Sequence, residues 1–574
     1  MLFFLTGLVI GIISFVFTRR IVLSILMFVF NWWATWQFLP VINFHFFGWP
    51  FLIMVDGFAI LFWELMISDI RNKEKRKSSV ISALAFLVVG VFWVAIIPMF
   101  TSWGILHARA YRDLIGEVRE GVFSADTTPV DTTQVRTVDQ LLAGRLADKR
   151  LGEDMALGSQ VNVGTMRIQQ VNGLLYWVGS LDHSGFWKWW LNSKGTPGYI
   201  MVSATNERDV KLVQEVNGEK VFLKYNAGCY FDNRILRYLY KNGYATKGLI
   251  DFTFEIDDDG YPYWVITQYQ KRVGFFGEDA VGVVLVNAQN GKIDEYSIEN
   301  APTWIDRIQP ENIIITQLNN WGEYVHGWPN WSGKDKLKTT EGTSLVYGAD
   351  GKSYWYTGVT SIGADEGTVG FVLVNTRTKE ATMYNQAGAT ETAAMGSAEG
   401  AVQEKGYKAT FPILYNISGV PTYFTTLKDD AGLVKSMAWV SVEDYNIVGI
   451  GATITEALRN YRRNLVTRGN DIAPDSLVNR LVANGEVLRI GKDDSNYYFL
   501  IRGYEQKLFV GSLDLSLEIV ITKVGDLITV EYNEGGSEIV DIVEFDNTTI
   551  ELQKIEAQKI VEGRSEEIRE KEIQ

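Results

Sequence analysis

The residues able to do chemistry are few in this chain, and they are scattered. Four histidines, His45, His107, His183 and His326, stand far apart, and none has a second His at metal-binding spacing. Cys229 is the single cysteine, which excludes an intramolecular disulfide framework and a cysteine zinc cage. With no activating neighbour it reads as a small buried hydrophobe. The stretch Gly396-Ser397-Ala398-Glu399-Gly400 lacks the spacing of a nucleophile elbow, and no glycine-rich phosphate loop is present. The run Glu255-Ile256-Asp257-Asp258-Asp259-Gly260 brings several oxygens together but departs from the helix–loop–helix calcium pattern. A tight turn accounts for Asp259-Gly260 without a metal, so calcium is open but disfavoured. The expectation is a protein that is not an enzyme, with no catalytic residue, no metal site and no cofactor.

What remains is acidic and aromatic. Asp56 and Glu64 lie eight residues apart inside an apolar stretch, loosely on one side of a helix. Ionisable groups at such depth mark an ion path, a partner contact or a bond within a helix bundle. Two aromatic clusters are candidate binding surfaces: Phe186, Trp187, Trp189 and Trp190, and, further along, Trp321, Trp328 and Trp331 with Tyr324 and His326. Exposed aromatics stack on sugars, enter a membrane interface or anchor protein interfaces; burial between neighbouring units is the competing explanation.

These groups must be positioned by two kinds of element. Four apolar stretches, about 2–17, 21–39, 50–68 and 79–100, each approach the roughly 20 residues that cross a bilayer. The first is slightly short and resembles a signal segment, but no small-residue cleavage site follows it, so it is read as retained. Arg19 and Arg20, and then Arg71, Lys73, Lys75, Arg76 and Lys77, occupy the connections on one side of a four-helix scheme, and the connection at 40–49 has no Lys or Arg. Basic connections stay cytoplasmic, which places 101–574 outside a cytoplasmic membrane. Trp32, Trp33, Trp36, Phe44, Phe46, Phe47, Trp49 and Phe51 cluster at the outer connection, as an interfacial belt does. Residues 1–101 carry a net charge of +3 within a total of −14, leaving −17 for the rest. So acidic a soluble part argues against nucleic acid as a partner.

A pattern recurs through the soluble part: a glycine turn, an aromatic pair, a variable insert and a short apolar run. The pairs are Tyr176-Trp177, Tyr263-Trp264, Tyr354-Trp355 and, in a degenerate copy, Tyr423-Phe424. The runs that follow include 198–204, 282–288 and 370–376, each opening on a glycine, and 438–442. Asn172-Gly173, Asp259-Gly260 and Asp350-Gly351 predict two-residue hairpins. The short apolar runs predict central strands, and a glycine at their start suits close backbone approach. Helices are predicted over 103–120, 137–149, 232–243, 302–321 with a break at Pro310, 390–404 and 453–466. Each unit is then a helix laid on a small antiparallel sheet.

A hairpin whose last turn reads Val286-Asn287-Ala288-Gln289-Asn290-Gly291-Lys292-Ile293 resembles the PepSY module, with Asn287 and Asn375 where that family has Asp. The resemblance covers pieces of 150–450. It implies an extracytoplasmic module that binds, inhibits or organises partners without catalytic residues of its own.

The organisation expected is therefore a four-helix transmembrane domain at 1–101, a juxtamembrane helix and linker at 102–136, and α+β repeats at 137–230, 231–300, 301–388 and 389–466. A small β-barrel of OB or SH3-like kind at 467–546 and a charged C-terminal helix at 547–574 complete it. The function expected is an oligomeric, membrane-anchored scaffold that binds the lipid bilayer and a protein partner or itself. The alternatives are a channel or transporter using Asp56 and Glu64, and an inhibitor or chaperone of a secreted hydrolase.

Overall fold

The computed structural model describes residues 2–66, 73–154, 157–331, 333–348, 351–362, 367–417, 419–467, 480–493, 496–512, 515–533 and 539–550. The charged segment expected as a helix over 547–574 lies almost wholly outside them. The chain divides into two compact units, 1–472 and 473–574.

The first unit opens with apolar helices: α1 (Leu2–Thr18), α2 (Ile21–Phe38), α3 (Gly48–Met66) and α4 (Lys73–Val91). The last continues through a π-helical turn, Phe92–Ile96, into α5 (Ile97–Thr101). Pro98 explains the widened turn, because its ring lacks an N–H and collides with the carbonyl four residues earlier. Three helical spans are long and apolar enough to cross a membrane: 21–38, 48–66 and 76–101. The helix before them is apolar over a shorter stretch, 3–16.

Next come α6 (Gly104–Arg112) and a short α7 (Phe123–Asp126). The helix expected over 103–120 stops early. Val118–Glu120 is instead a strand, pairing in parallel with Ala381–Met383, so the linker is stitched into a sheet formed 260 residues later.

Four sheets each hold one copy of the repeat. The first pairs Val161–Val163 and Arg167–Val171 with Leu174–His183, then Tyr199–Ser203 and Val210–Val213. The second is the meander Gly248–Ile256, Pro262–Val273, Phe276–Asn287, Ile293–Ser297. The third centres on Ser353–Ser361 and Gly370–Asn375, and the fourth on Val420–Lys428 and Val434–Ser441. The helices between them are α8 (Gln140–Gly152), α9 (Phe186–Leu191), α10 (Ile235–Leu239), α11 (Glu311–Glu323), α12 (Glu391–Gly400) and α13 (Ile454–Thr467). Residues 302–309, expected to open the helix over 302–321, are not helical. α11 begins after Pro310, whose missing N–H costs nothing at a helix start.

Sheets do not stack in chain order. One core joins the first sheet (Trp177, Ile200, Val202) to the third (Trp355, Val372, Val374) across α8 and α11. A second core joins the opposite face of the first sheet (Tyr176, Val178, Met201) to the second sheet (Trp264, Ile266, Val284). A third joins the third sheet (Tyr356, Phe371) to the fourth (Tyr423, Val440) across α12. The layers therefore run second, first, third, fourth, with α13 closing the far side against Phe424 and Trp439. This arrangement explains the unbroken apolar runs: every residue of Tyr199–Ser203 and Gly370–Asn375 is buried, as in strands covered on both faces.

Each aromatic pair spans two layers, because adjacent residues on a strand point to opposite faces. Tyr176 enters one core and Trp177 another, and both rings are buried. Tightness at the following glycines is just as regular. A Cβ on Gly198, Gly282 or Gly370 would stand 2.1, 2.4 or 2.3 Å from a carbonyl oxygen of the neighbouring strand or its end. The two-residue hairpin holds for Asn172-Gly173, where both residues have positive φ. In the second and third sheets the paired strands end at Ile256 and Pro262, and at Tyr347 and Ser353, so the loops are longer.

In the second unit, Arg480–Asp493, Asn496–Ile501, Leu508–Ser512, Ile539–Asn547 and Leu527–Asn533 close into a five-stranded barrel around Val487, Phe499, Phe509, Ile528, Val530 and Phe545. Leu517–Thr522, whose alternating apolar and polar residues read as a strand, is largely the short helix α14 (Glu518–Ile521).

Candidate functional site

Asp56 and Glu64 both face the interior of the apolar bundle and are fully buried. Arg20, at the threshold of α2, reaches in to Glu64 with Nε 3.2 Å from Oε1 and Nη2 3.2 Å from Oε2. Such a two-point pair fixes geometry as well as charge. Arg20 stands in a connection, and the reach of its side chain brings it to Glu64 alone of the two acids. Asp56 Oδ1 accepts a hydrogen bond from Asn31 Nδ2 at 2.8 Å, while its Oδ2 has no hydrogen-bond partner among the described residues.

The end of the bundle opposite Arg20 is docked on the second sheet and α10. The Phe3 ring stacks on Tyr240 with centroids 5.4 Å apart, and Tyr240 Oη donates to Pro40 O at 2.9 Å. The Arg237 guanidinium lies 4.0 Å from the Trp36 ring centroid, and its Nη2 donates to Trp36 O. Phe44 and Phe47 pack on Phe275 at the tip of the second sheet's long hairpin, and Phe46 packs on Tyr269. Trp93 Nε1 donates to Phe44 O at 3.0 Å. The aromatic belt expected at this connection therefore divides. Phe44, Phe46, Phe47 and Trp36 join the bundle to the layers, while Trp32, Trp33 and Phe51 face outward.

The expected binding aromatics also divide. Trp321 sits against the core shared by the first and third sheets, so it is a packing residue. Trp328 and Trp331 are 48% and 88% exposed, with ring centroids 6.2 Å apart. On α9, Phe186 and Trp189 pack against Tyr230 and Phe231, whereas Trp187 and Trp190 face solvent.

A recurring polar bond was not legible from sequence. Trp177 Nε1 donates to Val138 O at 2.7 Å, Trp264 Nε1 to Tyr225 O at 3.0 Å, and Trp355 Nε1 to Gln309 O at 2.8 Å. Each acceptor lies just ahead of the helical segment that precedes its own sheet. In the strap that ends at each acceptor, two consecutive N–H groups reach the carbonyl that ends the apolar run: Thr137 and Val138 to Ala204, Lys224 and Tyr225 to Ala288, Ile308 and Gln309 to Thr376. In the fourth copy Tyr423 Oη points to Ala389 O at 3.3 Å, and Ala389 N donates to Val442 O. The repeated aromatics thus pin the entry strap of each unit to its sheet.

Buried charges collect where the first three sheets meet. Asp306 accepts from Gln170 N at 2.6 Å and Tyr347 Oη at 3.0 Å, and burial pushes its carboxyl up to about 6. Glu255, 3.9 Å from Arg307 Nη2, is pushed to about 7 by burial against the pull of that guanidinium. Glu255 thus points inward, while Asp257 Oδ1 accepts from Asp259 N and Tyr261 N, so the acid run serves two separate tasks. Among the described residues no group of His, Cys, Asp and Glu is placed to hold a metal. Cys229 is buried and its thiol is pushed up to about 12, again by burial. A cleft of about 1070 Å³ opens between the linker at 119–136 and the third and fourth sheets, lined by Arg136, Tyr347, Tyr415 and Asn416 among others. Neither Glu255 nor Asp306 lines it; Tyr347 separates Asp306 from it.

No family model matches this chain, and no curated protein matches it. Among solved structures, a crystal structure of a B. megaterium levansucrase mutant aligns over 69% of this chain and 70% of that chain at 10% identity. Its TM-score is 0.10, which carries no argument about fold or activity.

Proposed function

We propose that this is an integral membrane protein whose four apolar helices anchor a large, non-catalytic scaffold on the extracytoplasmic side. The scaffold binds a protein partner or further copies of itself. The observation that carries this reading is where the repeated chemistry goes. The indoles of Trp177, Trp264 and Trp355 are spent on bonds between a unit's strap and its sheet, and the buried acids sit where units meet. Repetition of this kind builds a surface, not a reaction centre. Sidedness is supported by charge: Arg19 and Arg20 lie at the bundle end away from the sheets, and basic connections remain cytoplasmic. The PepSY-like turn fits the same role. Asn287 Oδ1 accepts from Gln289 N and Asn290 N, and Asn375 Oδ1 from Arg377 N and Thr378 N, so each asparagine closes its turn as an aspartate would.

Light scattering of the full-length protein in detergent, with mass spectrometry of whatever co-purifies, tests the scaffold. An oligomer or a stoichiometric partner is expected, and a bare monomer overturns it. A second reading, ion passage through the bundle, draws on the Asp56 Oδ2, which has no hydrogen-bond partner among the described residues. It expects ion flux in liposomes that Asp56→Asn abolishes; equal flux in the variant removes it.

A further inference from the structure

We propose that α9 and the turn at Tyr230–Phe231 form a second contact with the bilayer, an aromatic platform resting in the lipid headgroup layer beside the spans. The proposal rests on reading the apolar helices as membrane spans.

The helix is built the wrong way round for a soluble surface. Trp187, Trp190 and Leu191 stand at positions i, i+3 and i+4, which share one helical face. They are 72%, 61% and 83% exposed. The opposite face is apolar too, with Phe186 and Trp189 against Tyr230 and Phe231. The single charge, Lys188, is turned back to Ser184 Oγ and Ser159 O. Single exposed apolar residues need no explanation, but a continuous face of two indoles and a leucine marks an interaction surface.

Its position selects the occupant. The Phe231 ring centroid is 6.1 Å from that of Trp36, two residues before the end of α2. Arg237 fastens this junction: Nη1 donates to Phe231 O at 3.2 Å and Nη2 to Trp36 O at 3.1 Å, over the Trp36 ring. Phe231 has φ +48, a left-handed backbone that bulky side chains rarely adopt, and the Arg237 bond holds it there. The platform is thus fixed at the level where α2 leaves its apolar run. On that helix Trp32, Trp33 and Phe38 are 46%, 49% and 66% exposed, an outward aromatic surface to which α9 is linked through Phe231 and Trp36. Indole rings favour the headgroup region, where an apolar body and a polar N–H are both accommodated. A lipid surface is therefore the partner this face fits.

Nitroxide labels on cysteines introduced into the full-length protein in phosphatidylcholine–phosphatidylglycerol liposomes test the platform. The native Cys229 is buried, so labelling falls on the added thiol. Trp187→Cys, Trp190→Cys and Leu191→Cys report the platform, Val88→Cys reports an outward position on α4, and Tyr445→Cys reports an exposed turn of the fourth sheet. The expected result is collision with oxygen several-fold above that with a water-soluble nickel chelate at the platform positions and at 88, and the reverse at 445. Water-like platform labels beside a lipid-like 88 overturn the platform and leave the spans standing. A water-like 88 overturns the spans themselves. Platform labels shielded from both reagents indicate a protein partner and also overturn the proposal.

Discussion

The indoles of the repeat and the indoles of the insert have the same chemistry and opposite fates. Trp177, Trp264 and Trp355 are buried, each with its N–H on a backbone carbonyl. Trp187 and Trp190 project from a six-residue helix and stay exposed. The difference lies in the strand. A residue on a central strand covered on both faces must enter a core, and a buried indole must also find an acceptor. An insert after that strand is free of both demands. Recurrence in sequence therefore marks what holds the layers together, and variation marks what faces outward.

Trp355→Ala carries the largest expected effect. It empties the core shared by the first and third sheets and should destabilise by about 3–5 kcal/mol, read as a lowered unfolding midpoint of the full-length protein in detergent. A loss below about 1 kcal/mol would mean the pair does not join the layers. The buried charges give a smaller, pH-dependent effect. Glu255 has a folded value of about 7, above its unfolded value near 4.5. Because the folded state holds that proton more tightly, stability is greatest below about pH 4.5, falls as pH rises toward 7, and levels off above it. The fall is on the order of 3 kcal/mol, and Glu255→Gln should make the unfolding midpoint fall less steeply across that window, with the slope from Asp306 remaining. An unchanged slope would remove Glu255 as its source. Trp177→Phe keeps most of the ring but leaves the Val138 carbonyl without its donor, at a cost of about 1–3 kcal/mol; an unshifted midpoint would show that water replaces the indole. The smallest effect belongs to the insert. Trp187→Ala with Trp190→Ala should stay within about 0.5 kcal/mol of the parent protein in detergent, and a large loss there would show that α9 is structural after all.

Local features were legible because they follow from short-range constraints. Alternation, glycine turns and apolar runs announced sheets such as Gly248–Ser297, and Gly282 announced a close carbonyl. The barrel strands were legible for the same reason, apart from 517–522, where a short apolar run fits strand and helix alike. Long-range choices were not legible. Nothing in the residues near Val118 says that they pair with Ala381, and nothing in the repeat says that the first sheet lies between the second and the third. Both depend on which faces meet, and apolar faces of similar composition do not specify partners by pattern alone. Arg20 was missed because a connection residue was weighed by its backbone position, although its side chain extends well into the bundle. Trp321 was misjudged because clustering in sequence with Trp328 and Trp331 hid its place on the buried face of α11.

In the proposed arrangement the layered units lie outside a membrane crossed by the helices on which they dock. Single cysteines at Arg19 and Tyr445, probed in intact cells with a membrane-impermeant maleimide, test it most directly. Tyr445→Cys is expected to label from outside and Arg19→Cys only after permeabilisation; the reverse pattern, or equal labelling of both before permeabilisation, would overturn this placement.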